Sequence, residues 1–391
     1  MSSMLRATTF ILLACGTFMS TPARCQTMPG QDGREWDQAR AQLIASERGN
    51  MAQAIERWKL LSSSNRFFFS DYAGFLLAYP GFPDEGKLRI YAEQALERDS
   101  ADAARTLAYF EKFPPLTNPA RARYALALSA VQRPTAREAA IAAWRGGEMS
   151  DAAESALLSL YGSAFTPADH DARMDALLWA GVTAQAERQI SWTSPAARNA
   201  FMERLALVQG SPPGSLGLPT TPEMLSDQGY IYNRVRQARR SGNLPGAISL
   251  LANRPAAPRP VLDPEKWVGE LLSAARGADA NSVVRIASSI DDAFAPGTDV
   301  SRLSFKLRDD YTSLMWLGGT RALWQLGDAA RAAPLFYRYG AAAQTPQTRS
   351  KGFYWAGRAM AQSGDRGGAN RYFEMAAAYP DHFYGMLSLE R

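Results

Sequence analysis

Two stretches near the end of the chain, RALWQLGDAARAAPLF (321–336) and RAMAQSGDRGGANRYF (358–373), follow one pattern. Aligning Gly327-Asp328 with Gly364-Asp365 places the two stretches 37 residues apart, and seven positions are then identical. Besides that pair, Arg321, Ala322, Gln325, Ala332 and Phe336 match Arg358, Ala359, Gln362, Ala369 and Phe373. Seven identities at a single offset indicate an internal repeat.

The repeated residues have the chemistry of a helix hairpin. The glycine suits a left-handed cap that ends a first helix, and the aspartate that follows suits the N-cap of a second. The alanine lets the paired helices approach closely, and the phenylalanine fills the gap between them. A weaker upstream copy has Arg236, Gly242-Asn243, Ala247 and Leu251 at corresponding places. The pattern is that of tetratricopeptide-like repeats with a looser period.

These hairpins predict an all-α chain. Alanine is abundant while valine, isoleucine and threonine are sparse, which favours helices over strands. A single hairpin leaves one apolar face exposed, whereas stacked hairpins bury it and build a superhelix. We therefore expect a superhelical solenoid of degenerate repeats over residues 37–391. Two segments rich in proline, near 209–222 and 253–264, are expected to be loops.

Composition excludes several classes of function. The 391 residues are 46% hydrophobic and carry a formal charge of +5, which is mild and has no dense Lys/Arg run for nucleic acid. A solvated helical surface explains this charge, and attraction to an anionic polymer is the alternative. The two cysteines, Cys15 and Cys25, lie at the start, so the fold has no disulfide or cysteine-rich zinc site. We interpret His170 and His382 as loop or helix-end residues. We predict no metal and no cofactor.

The first residues have the features of an export signal. Arg6 supplies a basic region, residues 7–19 are apolar, and Thr21-Pro-Ala23 is a small-residue cleavage site. We expect a signal peptide over 1–23, a disordered leader over 24–36, and a periplasmic protein without a transmembrane segment. Acylation at Cys15, in the lipobox-like Leu12-Leu-Ala-Cys15, is the less favoured alternative.

Several fragments, in order, resemble the soluble lytic murein transglycosylases. They span about residues 50–391 and include FLLAYPGFPDE (75–85), FTPADH (165–170), RMDALLW (173–179) and the repeats described above. The resemblance implies a periplasmic α-superhelix that curves into a ring or an arc. In that family the superhelix carries a lysozyme-like domain, which cleaves the bond between N-acetylmuramic acid and N-acetylglucosamine and leaves 1,6-anhydro-muramoyl ends.

The family's catalytic glutamate has no counterpart in this sequence. Its motif is Glu-Ser followed by Gly-Leu-Met-Gln, whereas the single Glu-Ser pair here, Glu154-Ser155, has no such element after it. We interpret Glu154 as a residue on the solvated face of a repeat helix, and Tyr384-Gly385 as the family's superhelix-closing segment. We therefore predict no catalytic, cofactor-binding or metal-binding residues, and we expect the chain to be inactive alone.

Two further sets of side chains leave alternative functional sites open. The acidic pairs Asp84-Glu85, Asp291-Asp292 and Asp309-Asp310 leave a two-carboxylate glycosidase site open, although charges at helix N-termini or in loops explain them better. The tryptophans and tyrosines are compatible with a sugar-binding groove, but we favour packing inside the solenoid.

The leading hypothesis is a peptidoglycan-associated scaffold that resembles the noncatalytic superhelix of a lytic transglycosylase. Its partners would be peptidoglycan glycan strands and other cell-wall proteins. The alternative is a stand-alone periplasmic repeat protein for protein–protein interaction. The chain stops at Leu387-Ser-Leu-Glu-Arg391 without a polar capping helix, which we interpret as an interrupted chain.

Overall fold

A computed structural model describes residues 50–99 and 101–391 of the chain. The chain divides into two compact units, Met1–Ser64 and Asn65–Arg391. The predicted signal peptide, the leader, both cysteines and the predicted domain start at residue 37 lie outside the described residues.

The described residues contain α-helices and short 3₁₀ and π turns, and no strand. In chain order the α-helices are α1 (Asn50–Ser63), α2 (Phe69–Ala78), α3 (Glu85–Arg98), α4 (Ala103–Lys112), α5 (Asn118–Ala130), α6 (Ala136–Arg145), α7 (Asp151–Tyr161), α8 (Pro167–Ala180), α9 (Thr183–Gln189), α10 (Pro195–Gln209), α11 (Pro222–Ser226), α12 (Gln228–Arg240), α13 (Leu244–Ala252), α14 (Pro264–Ala275), α15 (Ala280–Ser288), α16 (Phe305–Thr320), α17 (Ala329–Ala342), α18 (Pro346–Gln362), α19 (Arg366–Ala377) and α20 (Phe383–Leu389).

The helices of residues 65–391 pack as a solenoid. The most extensive contacts join consecutive helices, above all α16 to α17, α17 to α18 and α18 to α19. Contacts also join helices two apart in sequence, such as α3 with α5, α12 with α14 and α14 with α16. Each hairpin is thus covered by the next one along the chain, as in an α-superhelix. The predicted all-α superhelical fold is confirmed, while closure into a ring stays a prediction.

The hairpin turns have the predicted capping geometry. Gly242, Gly327 and Gly364 adopt φ of 80°, 65° and 91°, which is the left-handed region that glycine favours. Each is followed by a side chain that accepts a hydrogen bond from the backbone N–H three residues on: Asn243 from Gly246, Asp328 from Arg331 and Asp365 from Gly368. These caps satisfy N–H groups that a helix end leaves without partners.

The repeated alanines and phenylalanines form the core between the hairpins. Ala332 and Phe336 are fully buried, and Ala369 and Phe373 are nearly so. Glycines on the preceding helix make room for the rings. A Cβ at Gly319 would lie 2.7 Å from the Phe336 ring, and a Cβ at Gly357 would lie 2.8 Å from the Phe373 ring. The backbones of α17 and α18 approach closely where Gly352 faces Gly340.

One repeat contains an extra residue. Gly319 and Gly357, which face the two phenylalanines, are 38 residues apart, whereas the hairpin glycines are 37 apart. A π turn at Arg321–Gln325 follows α16 in the first repeat, and the second repeat has regular α-helix there. A π turn holds one residue more than an α turn, so it absorbs the extra residue without disturbing the cap.

Two proline-containing segments connect helices. Residues 210–221 join α10 to α11, and residues 253–263 join α13 to α14. The second segment is fixed to its surroundings by buried Arg254, whose guanidinium donates to both carboxylate oxygens of Asp292 and to the Ser289 carbonyl.

Candidate functional site

Four aromatic side chains and one lysine form a continuous surface on the last repeats, which we call the aromatic platform: Trp316, Trp324, Tyr339, Lys351 and Trp355. The ring of Trp324 meets that of Trp355 edge to face at a centroid distance of 5.1 Å, and meets that of Trp316 at 6.5 Å. The ring centroids of Trp316 and Tyr339 are 5.0 Å apart. The platform thus spans helices α16, α17 and α18 and the π turn.

The platform rests on the core but is open to solvent. Buried Phe336 lies beneath it, with its centroid 5.2 Å from Trp316 and about 6.2 Å from Trp355. The side chain of Trp324 is 55% exposed, while Trp316, Tyr339 and Trp355 are half-buried. The inner edges of these rings therefore pack in the solenoid, as we favoured from the sequence, and the outer edges form a surface.

Trp324 lies in the π turn and faces the solvent. The π turn holds the extra residue of this repeat just before the Gly327 cap. At the corresponding place the next repeat has a small residue, Ala361, in regular helix. Single π turns inside helices occur frequently at functional sites. The sequence analysis did not single out Trp324. The signal available was the alignment at the 37-residue offset, which places Trp324 opposite the small residue Ala361.

Lys351 places a positive charge within the platform. Its Nζ lies 3.5 Å from the centroid of Trp316 and 5.5 Å from that of Tyr339, which is a cation–π arrangement. Burial lowers the pKa of this ammonium. Among the described residues no carboxylate lies within 4.0 Å of it, in contrast to Lys266 and Lys306, which pair with Asp263 and Asp310.

A second concave region lies on either side of the 253–263 segment. One cavity of about 660 Å³ is bounded by α8, α10, α11 and α12, and another of about 610 Å³ by residues 291–300 with α16 and α17. Arg259 lines both cavities and a smaller one between them. Its guanidinium is 72% exposed and lies 3.8 Å from Asp175 and 3.9 Å from Asp227.

The interpretation of Glu154 as a solvated residue was wrong. Glu154 is 8% exposed, and its carboxylate lies 3.2 Å from Nη2 of Arg173 and 2.8 Å from Nη2 of Arg188. Arg173 is fully buried on the facing helix α8, which explains why Glu154 points inward. Glu154 shares a helix face with Ala153 and Leu157, so the apolar spacing of α7 carried this signal.

The environment of Glu154 is that of a structural ion pair. A carboxylic acid that donates a proton near neutral pH is held in apolar surroundings without a cationic partner. Glu154 has two guanidinium partners instead. Burial lowers the pKa of Arg173 to about 10, and Glu154 opposes that shift. The guanidinium of Arg173 also stacks 4.0 Å from the centroid of Trp144.

His170 belongs to the same buried network. It lies in the first turn of α8, as predicted, but it is 6% exposed and its ring stacks on Trp192. Its Nδ1 faces two donors, Trp144 Nε1 at 3.3 Å and Gln189 Nε2 at 3.1 Å. Burial lowers the pKa of His170, Arg173 lowers it further, and the neighbouring Asp169 and Asp171 partly oppose both effects. The neutral ring with Nδ1 as acceptor fits this geometry.

The acidic pairs do not form a two-carboxylate site. The carboxylate of Asp291 accepts from the Tyr311 hydroxyl at 2.8 Å and pairs with Arg338, and Asp292 pairs with Arg254. In the pair at 309–310, Asp310 pairs with Lys306 one turn away. Asp84 is the N-cap residue of α3. Arginine and lysine partners therefore account for Asp291, Asp292 and Asp310, whereas Asp84 and Glu85 lie at the N-terminus of α3, as we expected.

The described residues contain no group of three or more histidine, cysteine, aspartate or glutamate side chains that could hold a metal ion. Within the same residues no helix has both the length and the apolar character needed to cross a membrane.

No family model and no curated protein matches this sequence. Among solved structures, two of the 70-kDa soluble lytic transglycosylase are distantly similar: a complex with bulgecin A, and the enzyme of Escherichia coli. Each is 15% identical to this chain, with TM-scores of 0.38 and 0.39, and the match covers 93% of this chain. The chain spans 56% of the length of these structures.

Proposed function

We propose that this chain is an exported, cell-wall-associated scaffold that binds peptidoglycan glycan strands through the aromatic platform. It would hold and orient a strand, while cleavage of the strand would require a catalytic domain with the glutamate motif. The observation that carries the proposal is the exposed, edge-packed Trp324 at the centre of a row of half-buried aromatic rings.

The chemistry of the platform supports a sugar ligand. The β-1,4-linked N-acetyl sugars of a glycan strand present apolar C–H faces, which gain free energy when they cover an exposed indole ring. The half-buried edges of Trp316 and Trp355 hold Trp324 from the sides. A ligand therefore meets a surface that is already ordered, which reduces the entropic cost of binding.

Two sequence features support the location and the polymer. Residues 1–23 have the organisation of a signal peptide, and the ordered fragments between 50 and 391 resemble soluble lytic transglycosylases. Cleavage by this chain itself has no support among the described residues, because Glu154 is ion-paired with Arg173 and Arg188.

The test compares two tryptophans of matched exposure. Trp324 is 55% exposed within the platform, and Trp192 is 56% exposed and stacks on His170 away from it. Glycan oligosaccharides are titrated into the purified chain, into Trp324→Ala and into Trp192→Ala, with binding measured by calorimetry. We expect Trp324→Ala to weaken binding by at least tenfold, and Trp192→Ala to bind like the unmodified chain.

Circular dichroism melting curves establish that each variant keeps the fold before the affinities are compared. Equal affinities of the two variants would refute the assignment of glycan binding to the platform. Absence of binding by the unmodified chain would refute the proposed function itself.

The cavities beside Arg259 favour a second candidate function, which is docking of another protein. Arg259 of the 253–263 segment lines all of them, and concave surfaces of this kind serve protein recognition in solenoids. Arg259→Glu would place a carboxylate among Asp175 and Asp227 and disturb such a contact. Crosslinking in cell-envelope extracts, with and without this substitution, would detect it.

A further inference from the structure

Lys351 is an unusual lysine in this chain. Its ammonium sits 3.5 Å from the Trp316 ring centroid, where burial removes part of its water shell. The aromatic rings stabilise the charge weakly through cation–π contacts. Within residues 50–99 and 101–391, no carboxylate lies within 4.0 Å to form an ion pair with it. The platform therefore presents one uncompensated positive charge beside exposed apolar rings.

We propose that the platform selects glycan strands whose sugars carry a free carboxylate, and that Lys351 pairs with this carboxylate while an adjacent sugar ring covers Trp324. This inference rests on the proposed function and names the ligand chemistry of the same site. Peptidoglycan strands bear such a carboxylate on alternate sugars, and it is free where the peptide has been removed. The preferred ligand is thus a peptide-free strand.

Charge complementarity supports the choice of an anionic sugar over a neutral one. A carboxylate near Lys351 would gain a charge-assisted hydrogen bond at a position where water is partly excluded, so the bond is stronger than on an open surface. Neutral sugars leave the ammonium without an anionic partner.

The experiment uses two probes with the same β-1,4-linked backbone. The first is a mixture of peptide-free strands prepared from sacculi with an amidase, and the second is a chito-oligosaccharide, which has no carboxylate. The unmodified chain should bind the first about tenfold more tightly than the second, as one charge-assisted contact allows. Raising the salt concentration should reduce this preference.

Three variants test whether Lys351 causes the preference for the strands that carry a carboxylate. Lys351→Met keeps the length of the side chain and removes the charge, so it should bind both probes equally and with the affinity that the unmodified chain has for the chito-oligosaccharide. Lys351→Arg should retain much of the preference. Lys112→Met, which removes an exposed lysine at the end of α4, should change neither affinity.

The outcomes separate the two proposals. If Lys351→Met keeps the tenfold preference, or if the unmodified chain shows none, the inference about the carboxylate is wrong while glycan binding by the platform stands. If the unmodified chain binds neither probe, or Trp324→Ala binds both normally, the proposed function fails and the inference fails with it.

Discussion

Replacing Gly352 with alanine should destabilise the last repeats of the solenoid. A Cβ at this position would lie 2.5 Å from both the N and the Cα of Gly340 and 2.8 Å from the Phe336 carbonyl oxygen. All three atoms belong to the backbone of α17, so no side chain can rotate away. Carbon atoms at optimal separation are about 3.5–4.0 Å apart. The two helices would therefore have to separate by about 1 Å.

The expected change in the free energy of unfolding follows from two opposing effects. Overpacking of this kind costs about 1–3 kcal/mol, and the upper part of the range applies because backbone must move. Alanine favours the helix over glycine by about 1 kcal/mol. We therefore expect Gly352→Ala to lower the free energy of unfolding by about 2 kcal/mol.

Gly74 is the matched control, since it lies inside α2 and a Cβ there would meet nothing within 4 Å. Gly74→Ala should raise stability by about 0.5–1 kcal/mol.

Urea denaturation followed by circular dichroism measures both changes, and hydrogen exchange locates them. Amides of α17 and α18 should lose protection in Gly352→Ala, whereas those of α2 to α5 should keep it, because each solenoid unit contacts only its neighbours. The reasoning about close helix approach would be refuted if Gly352→Ala proved as stable as Gly74→Ala.

Three further predictions concern caps and buried charges. Glu154→Gln leaves Arg173 buried without an anion and should cost about 3 kcal/mol in urea denaturation, while Glu138→Gln, at an exposed site, should change stability by less than about 0.5 kcal/mol. Asp328→Ala removes the α17 cap and should cost about 1 kcal/mol by the same method, and a cost near zero would contradict the capping geometry. The lowered pKa of His170 keeps its ring neutral in the folded protein, so its contribution to the free energy of unfolding should be complete above about pH 6.5 and should decline as the pH falls from there to the folded pKa. His170→Gln should lack this decline when the free energy of unfolding is measured against pH. Identical pH dependence of the variant and the unmodified chain would count against this.

The sequence predicted the parts of the fold that depend on neighbouring residues. The hairpin caps at Gly327-Asp328 and Gly364-Asp365 were predictable because a left-handed glycine and an N-cap aspartate act within one turn. The inward position of Glu154 was not recognised, because its reason is Arg173 on another helix. The apolar spacing of α7 contained the clue, but a buried charge becomes favourable only when its partner is known.

The site was harder to predict than the fold. The exposure of Trp324 was not predicted, because a tryptophan in a repeat helix is usually a core residue and its burial depends on how the neighbouring helices pack. From the sequence alone, Lys351 would be interpreted as a solvated lysine. Its position over the Trp316 ring depends on how α16 and α18 pack. Both residues acquire their roles through tertiary contacts, which a single sequence shows only where a repeat makes them visible.

Co-sedimentation of the purified chain with peptidoglycan sacculi, with release of 1,6-anhydro products measured in the same tubes, tests the central claim most directly. We predict that the chain sediments with the sacculi, that Trp324→Ala stays in the supernatant, and that no anhydro product appears. Sedimentation that is unaffected by Trp324→Ala, or release of anhydro products by the chain alone, would contradict this account of a glycan-binding scaffold.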